Sequence, residues 1–218
     1  MKILAIDTAL ETCSAALLDG AEDSWRVLAA RSEAMARGHQ ERLAPLVAEL
    51  IAEAGIGFDQ LDRIGVTVGP GSFTGLRVGL AFAKGLGVAL DRPVVGVGTL
   101  AAMGVGTTGF AAVAVDARRD QIYLQAFRDG QPLGAPEALA AGDAVQWLID
   151  IDPVGPGLIV GSGVALLAAA FPNAKADPRA GADPVWVARL AAAADPAPPG
   201  PIYLRAPDAK LPASALSA

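Results

Sequence analysis

The segment Val68–Leu80, VGPGSFTGLRVGL, joins an apolar run to a long helical pattern through glycines, a proline and hydroxyls. Backbone N–H groups at the start of a helix can hold an anion. Ser72 and Thr74 would add hydroxyl contacts there, and Arg77 a charge. The same residues also suit a tight turn closed by an N-cap, with Thr74 the expected cap and no ligand at all. The spacing excludes a Walker loop, because no Gly-Lys-Ser/Thr follows, and it is not the Rossmann fingerprint.

Two acids end apolar runs: Asp7 closes KILAID and Asp116 closes AAVAVD, 109 residues later. A carboxylate there can hold a metal–phosphate complex through water or act as a base. It can equally cap the following hairpin turn through local hydrogen bonds. The candidate phosphate cradle is therefore Asp7, Thr8, Gly71, Ser72 and Thr74. His39 reads as a surface or capping group and Cys13 as core. One cysteine excludes an internal disulfide framework, and one histidine all but excludes a His-built metal site. Gly-x-Ser-x-Gly is absent, so no catalytic residue is assigned.

Positioning these groups requires strands at Lys2–Asp7, Cys13–Leu18 and Trp25–Arg31, with a turn at Asp19-Gly20. His39–Ala54 has the period of a helix, with Leu43, Leu46, Val47, Leu50, Ile51 and Ala54 on one face. Pro45 inside it predicts a start near Ala44 or a kink. A strand at Arg63–Val68, a helix over Thr74–Leu90 and a strand at Pro93–Val97 complete the first half. Gly75, Gly79, Ala83 and Gly87 form one line along that helix. Glycine in a helix costs roughly 1 kcal/mol against alanine, so close approach of another backbone, from this chain or another, must compensate. The plan then recurs: strands Ala111–Asp116 and Gln121–Phe127, a turn at Asp129-Gly130, a helix over Asp143–Asp150, a strand at Leu158–Val160 and a helix over Gly163–Ala170. Pro184–Ala194 is a helix capped by Asp183. Asp195–Pro201 is extended chain, Ile202–Arg205 a short strand or clasp, and the last eight residues are frayed. The reading is an α/β fold of two halves, 1–105 and 106–218, each a mixed sheet covered by helices.

The composition agrees. A chain of 218 residues with 53% hydrophobic and 18% charged residues buries a core and is not globally disordered. A net charge of −6 argues against a self-sufficient nucleic-acid binder. MKILAIDTALETC lacks the apolar core of a signal peptide, and Gly75–Leu90 carries Arg77 and Lys84, so neither reads as a membrane segment. A cytoplasmic protein is expected.

AIDTALETCSAAL, RGHQERLAPLVAELIAEAG, VGPGSFTGLRVGLAFAKGLG and PVVGVGTLAAM together resemble the TsaB (YeaZ) family, most closely over 1–105. VDARRDQIY and PIYLRAPDAK extend the likeness more thinly. The resemblance implies a duplicated actin-like ATPase (ASKHA, ribonuclease H-like) fold. It implies a non-catalytic subunit for making threonylcarbamoyladenosine at tRNA position 37, pairing with TsaD and TsaE. By the same analogy His39, Leu43, Leu46, Val47, Leu50, Ile51, Gly75, Leu76, Gly79, Ala83 and Gly87 belong to a helical surface meeting TsaD or a second copy. tRNA would be met through the complex, and ATP, ADP and metal would belong to the partner subunits. In TsaD a His-x-x-x-His pair holds the metal; the matching positions here are Thr99 and Met103, poor ligands. The rival readings are a small ATPase or kinase using the phosphate cradle, and a peptidase M22-type metalloprotease.

Overall fold

The computed structural model describes residues 1–21 and 24–205. The expected fray of the last eight residues lies outside them. Strand β1 (Lys2–Asp7) is central to the first sheet. It pairs antiparallel with β2 (Thr12–Ala21), which pairs with β3 (Ser24–Ala34). On its other side β1 runs parallel to β4 (Arg63–Gly69), and β4 to β5 (Val94–Gly98). The order is β3-β2-β1-β4-β5. The ladder continues to Ala21↔Ser24, so Asp19 and Gly20 sit within paired strands, not in a turn. Gly20 is needed there because a Cβ would lie 2.1 Å from the Ser24 carbonyl oxygen.

The second sheet repeats this plan. Strand β6 (Phe110–Arg118) pairs antiparallel with β7 (Gln121–Arg128) and parallel with β10 (Leu158–Val160), which pairs parallel with β11 (Lys175–Asp177). Short β8 (Gln131–Pro132) and β9 (Glu137–Ala140) both border β7. Asp129-Gly130 is the expected turn, with φ of 50° and 75°. The repeat reaches single atoms: Asp7 Oδ1 accepts from Ala9 N at 2.9 Å, and Asp116 Oδ1 from Arg118 N at 2.7 Å. Both acids cap their hairpin turn through the residue two positions on. Two mixed sheets of this order, back to back, make the actin-like, ribonuclease H-like architecture.

Helices α1 (His39–Ala54) and α2 (Phe73–Leu90) cover the outer face of the first sheet. α1 starts at His39 rather than near Ala44. Pro45 is exposed, so its missing N–H leaves the Glu41 carbonyl at the water side, where solvent can satisfy it. α2 is capped by Ser72, whose Oγ accepts from Gly75 N at 3.3 Å, and not by Thr74, which lies inside the first turn. α2 is long and apolar enough to cross a membrane by length and composition alone. Its inner line is nevertheless seated in protein. α4 (Ala141–Ile151) and α5 (Val164–Leu167) cover the outer face of the second sheet. α3 (Thr99–Gly104) and α6 (Pro184–Ala193) fill the space between the sheets. Asp183 caps α6 through Val185 N as expected. α6 returns to the first sheet, where Gly65 leaves room for Ala191 and Arg63 donates to three carbonyls at its end. Ile202–Arg205 is a clasp, not a strand: Ile202 N donates to Val68 O at 2.7 Å.

Candidate functional site

Two concavities flank the start of α2. The larger, about 790 Å³, is the cleft between the halves. Its first wall is Ala9–Glu11, His39 and Gly71–Phe73; its second is Val115–Arg119, Tyr123 and Ser162; Ile202, Tyr203 and Arg205 close one end. Arg118 bridges the walls through Glu11 at 3.0 Å. Gly161-Ser162-Gly163 answers Gly69–Ser72 from the opposite half. Gly69 and Gly161 have φ of 108° and 107°, and Ser72 N and Gly163 N both donate to the facing hairpin, at Ala9 O and Ala114 O. The Gly-Ser-Gly directly after the short strand Leu158–Val160 carried that signal in the sequence. Arg118, Arg119, Tyr123, Tyr203 and Arg205 carried none, because only the topology brings the second hairpin and the clasp to the cleft.

Of the cradle expected from sequence, only Gly71 and Ser72 line this cleft. Asp7 is fully buried beneath it. Its Oδ1 accepts from Thr67 Oγ1 at 2.6 Å and Ala9 N, and its Oδ2 from Ala182 N at 3.2 Å. Burial pushes its pKa up, against the hydrogen bonds from Thr67, Ala9 and Ala182 and the influence of His39. Thr8 is buried and spends its hydroxyl on Gly75 O at 2.7 Å. Thr74 faces the other concavity. Neither oxygen of Asp7 is left to meet a hydrated metal, so a nucleotide–metal complex held at β1 does not fit these residues. Asp116 differs: it is half-buried on the second wall, where its N–H donates to Ser162 Oγ at 3.1 Å.

His39 lies at the foot of the first wall and donates through Nε2 to Thr12 O at 3.1 Å. It ties the start of α1 to β2. Cys13 is buried, and burial first, then nearby Glu33, pushes its thiol up to about 11. Thr99 and Met103 are fully buried in the core between the sheets.

The second concavity is a groove between α1 and α2, lined by Gln40, Leu43, Phe73, Thr74, Arg77, Val78, Ala81 and Phe82. This corrects the surface expected by analogy. Leu46, Val47, Leu50 and Ile51 point into the first half's own core. Leu76, Gly79, Ala83, Gly75 and Gly87 are also buried. A Cβ at Gly75 would meet Thr8 O at 2.0 Å, at Gly79 the Thr8 hydroxyl at 2.5 Å, and at Gly87 the Val94 side chain at 2.4 Å. The bare line of α2 is thus a seat for the chain's own strands. Only Leu43 reaches the groove, as its floor. What α2 offers outward is Phe73, Arg77, Val78, Ala81, Gly85 and Val88, with Val88 84% exposed. Arg77 stacks on the Phe73 ring at 3.8 Å.

Residues 31–171 match the family described as TsaD, tRNA N6-adenosine threonylcarbamoyltransferase. The chain is 40% identical over 208 residues to an uncharacterized protein of Mycobacterium tuberculosis, covering 95% of this chain and 93% of that one. It is 38% identical over 129 residues to the tRNA threonylcarbamoyladenosine biosynthesis protein TsaB of Escherichia coli, covering 56% of this chain and 53% of that relative. Among solved structures, a Pseudomonas aeruginosa protein with similarity to peptidase YeaZ superposes with a TM-score of 0.77. It is 28% identical, over 94% of this chain and 99% of that one. The match of well over half the chain to the TsaD family, with TsaB and YeaZ relatives in sequence and structure, establishes that the chain belongs to that family as a TsaB (YeaZ) member.

Proposed function

We propose that the chain is a non-catalytic subunit of the machinery that transfers threonylcarbamoyl to adenosine 37 of tRNA, pairing with TsaD and working beside TsaE. The observation that carries this reading is the α1–α2 groove. It is mostly apolar, with Gln40, Thr74 and Arg77 among its lining, open to solvent, and built on helices whose inner faces are locked to the sheet. Small outward residues, Ala44 and Ala48 on α1 and Ala81 and Gly85 on α2, allow a second helix pair to approach closely. Arg77 and Lys84 on α2 favour an acidic residue on the incoming helices. Two features support the absence of chemistry in this chain: the sealed Asp7, and Thr99 and Met103 at the positions of the metal-binding pair. ATP, ADP and metal would belong to the partners, and tRNA would be met through the complex in the cytoplasm. A metalloprotease reading has no donors to rest on: among the described residues no group of three His, Cys, Asp or Glu is placed to hold a metal ion.

The test is reconstitution with purified TsaD and TsaE. Omitting this subunit is expected to abolish tRNA modification, and Ala81→Arg, a change on the exposed face, to prevent co-elution with TsaD. Full modification without the subunit overturns the reading. So does an Ala81→Arg variant that still co-elutes, or micromolar Mg-ATP binding by the isolated chain. Self-association through the same groove would show as a dimer that Ala81→Arg converts to monomer.

A further inference from the structure

Among the described residues Phe73 is the one side chain that lines both concavities. On the groove side Arg77 lies over its ring. On the cleft side its ring centroid is 5.4 Å from that of Tyr203, tilted by 37°. Tyr203 sits in the clasp that closes the cleft. The clasp follows DPAPPGP, whose seven residues include four prolines and a glycine, and so has no helix or ladder of its own. Pro199 is buried near Gly96, Ile202 N holds Val68 O, and Arg205 donates from Nη1 to Ala117 O on the second half. The clasp thus runs from the end of β4 to the β6–β7 hairpin outside any helix or sheet ladder, and segments held so are among the first to open.

We infer that Phe73 couples the α1–α2 groove to this clasp, so that a helix seated in the groove holds the clasp shut over the cleft. This rests on the groove being the partner site. An incoming helix packs on the exposed side of Phe73, which is 44% exposed in the isolated chain, and fixes the ring in the position that stacks on Tyr203. With the clasp open the ring loses that second neighbour, so a partner that prefers the fixed ring prefers the closed clasp. Linkage makes the effect reciprocal: a closed clasp favours the partner by the same factor. That end of the cleft is in this way kept closed while the complex is assembled, although Ile202–Arg205 do not line the groove.

The experiment is hydrogen exchange at the Ile202 amide in the full chain. Phe73→Ala is expected to speed it roughly 2- to 12-fold, the opening factor that corresponds to loss of one aromatic pair. Tyr203→Ala is expected to do the same. Val88→Ala, on the same helix but outside the groove, is expected to change nothing, and Gly163 N, bonded to Ala114 O in the second half, serves as internal reference. Ile202 exchange that is unchanged in Phe73→Ala overturns the coupling, whether or not any partner binds. Addition of TsaD, with complex formation read separately by gel filtration, is expected to slow Ile202. A complex that forms and leaves Ile202 exchange unaltered also overturns the coupling. Failure of the complex to form overturns the pairing reading, while the variant arm still decides the link between Phe73 and the clasp.

Discussion

Two glycines ten residues apart on α2 should respond to alanine with opposite signs. At Gly85 a Cβ meets nothing within 4 Å, and the residue is exposed. The only effect left is helix propensity, which favours alanine by about 1 kcal/mol. For a chain of this size that raises the melting temperature by about 2–4 °C. At Gly75 the same propensity gain is available, but the Cβ would lie 2.0 Å from the Thr8 carbonyl oxygen and 3.2 Å from its carbon. Backbone must move by more than an ångström to restore ordinary contact, because a carbonyl between β1 and β2 cannot swing aside as a side chain can. Overpacking of this kind costs about 1–3 kcal/mol. The shift also strains the buried bond from Thr8 Oγ1 to Gly75 O, worth about another 1 kcal/mol. The net expectation is a loss of about 1–3 kcal/mol for Gly75→Ala against a gain of about 1 kcal/mol for Gly85→Ala. Urea unfolding followed by tryptophan fluorescence and far-ultraviolet circular dichroism measures both. If Gly75→Ala is as stable as Gly85→Ala, α2 does not rest on Thr8, and the claim that its bare line is an internal seat is wrong.

Further outcomes are expected elsewhere. The folded-state pKa of Asp7 is raised, so its stabilisation relative to Asp7→Asn is fully present below about pH 4, the unfolded value, and is lost as pH rises through the folded one. Unfolding midpoints of both proteins between pH 4 and 8 should converge or cross in that sense, and a gap that stays constant with pH would mean that the carboxylate is not desolvated. Glu33 and Glu49, whose pKa values are lowered chiefly by hydrogen bonds from Arg42, act in the opposite direction but cancel in this comparison. Cys13, with its thiol pushed up to about 11 and its side chain buried, should react with a disulfide reagent at pH 8 at least about 100-fold more slowly than in urea. Comparable rates would place it at the surface. The Thr99 hydroxyl is buried with no hydrogen-bond partner, so Thr99→Val should be stabilising by about 1 kcal/mol, and a loss of that size instead would reveal a bound water at Thr99.

The duplicated plan was legible because it is written in local signals: two apolar runs ending in acids, and a helical period over His39–Ala54 that the helix follows straight through Pro45. The direction of the small-residue line was not. Gly75, Gly79, Ala83 and Gly87 state that something comes close, and the residues it meets, Thr8 just after β1 and Val94 at the start of β5, are not announced by the spacing. Spacing fixes which residues share a face but not what that face meets. The same limit hid the cleft's second wall. Arg118 and Arg119 sit in a hairpin turn with φ of 67° and 53°, a conformation that arginine side chains do not announce. Ser72 took the cap from Thr74 because the backbone is already helical at Phe73, which leaves Thr74 no free N–H two or three residues on that needs it.

The two repeated acids show how one device acquires two surroundings. Asp7 and Asp116 make the same hydrogen bond to the residue two positions on. Only Asp7 is roofed over, and the roof is Ala182, just ahead of α6. α6 can return to the first sheet because Gly65 has no side chain: a Cβ there would lie 2.6 Å from that of Ala191 and 3.6 Å from the Val187 carbonyl oxygen. The chain running into α6 then crosses the end of β1, with Glu11 N held by Ala180 O and Asp7 Oδ2 by Ala182 N. Among the described residues no helix makes that return over the second sheet, and Asp116 lies at the cleft wall beside Ser162 and Arg118. The asymmetry of the cleft therefore depends on the missing Cβ at position 65, and any side chain there, alanine included, should lift α6, uncover Asp7 and loosen both halves at once.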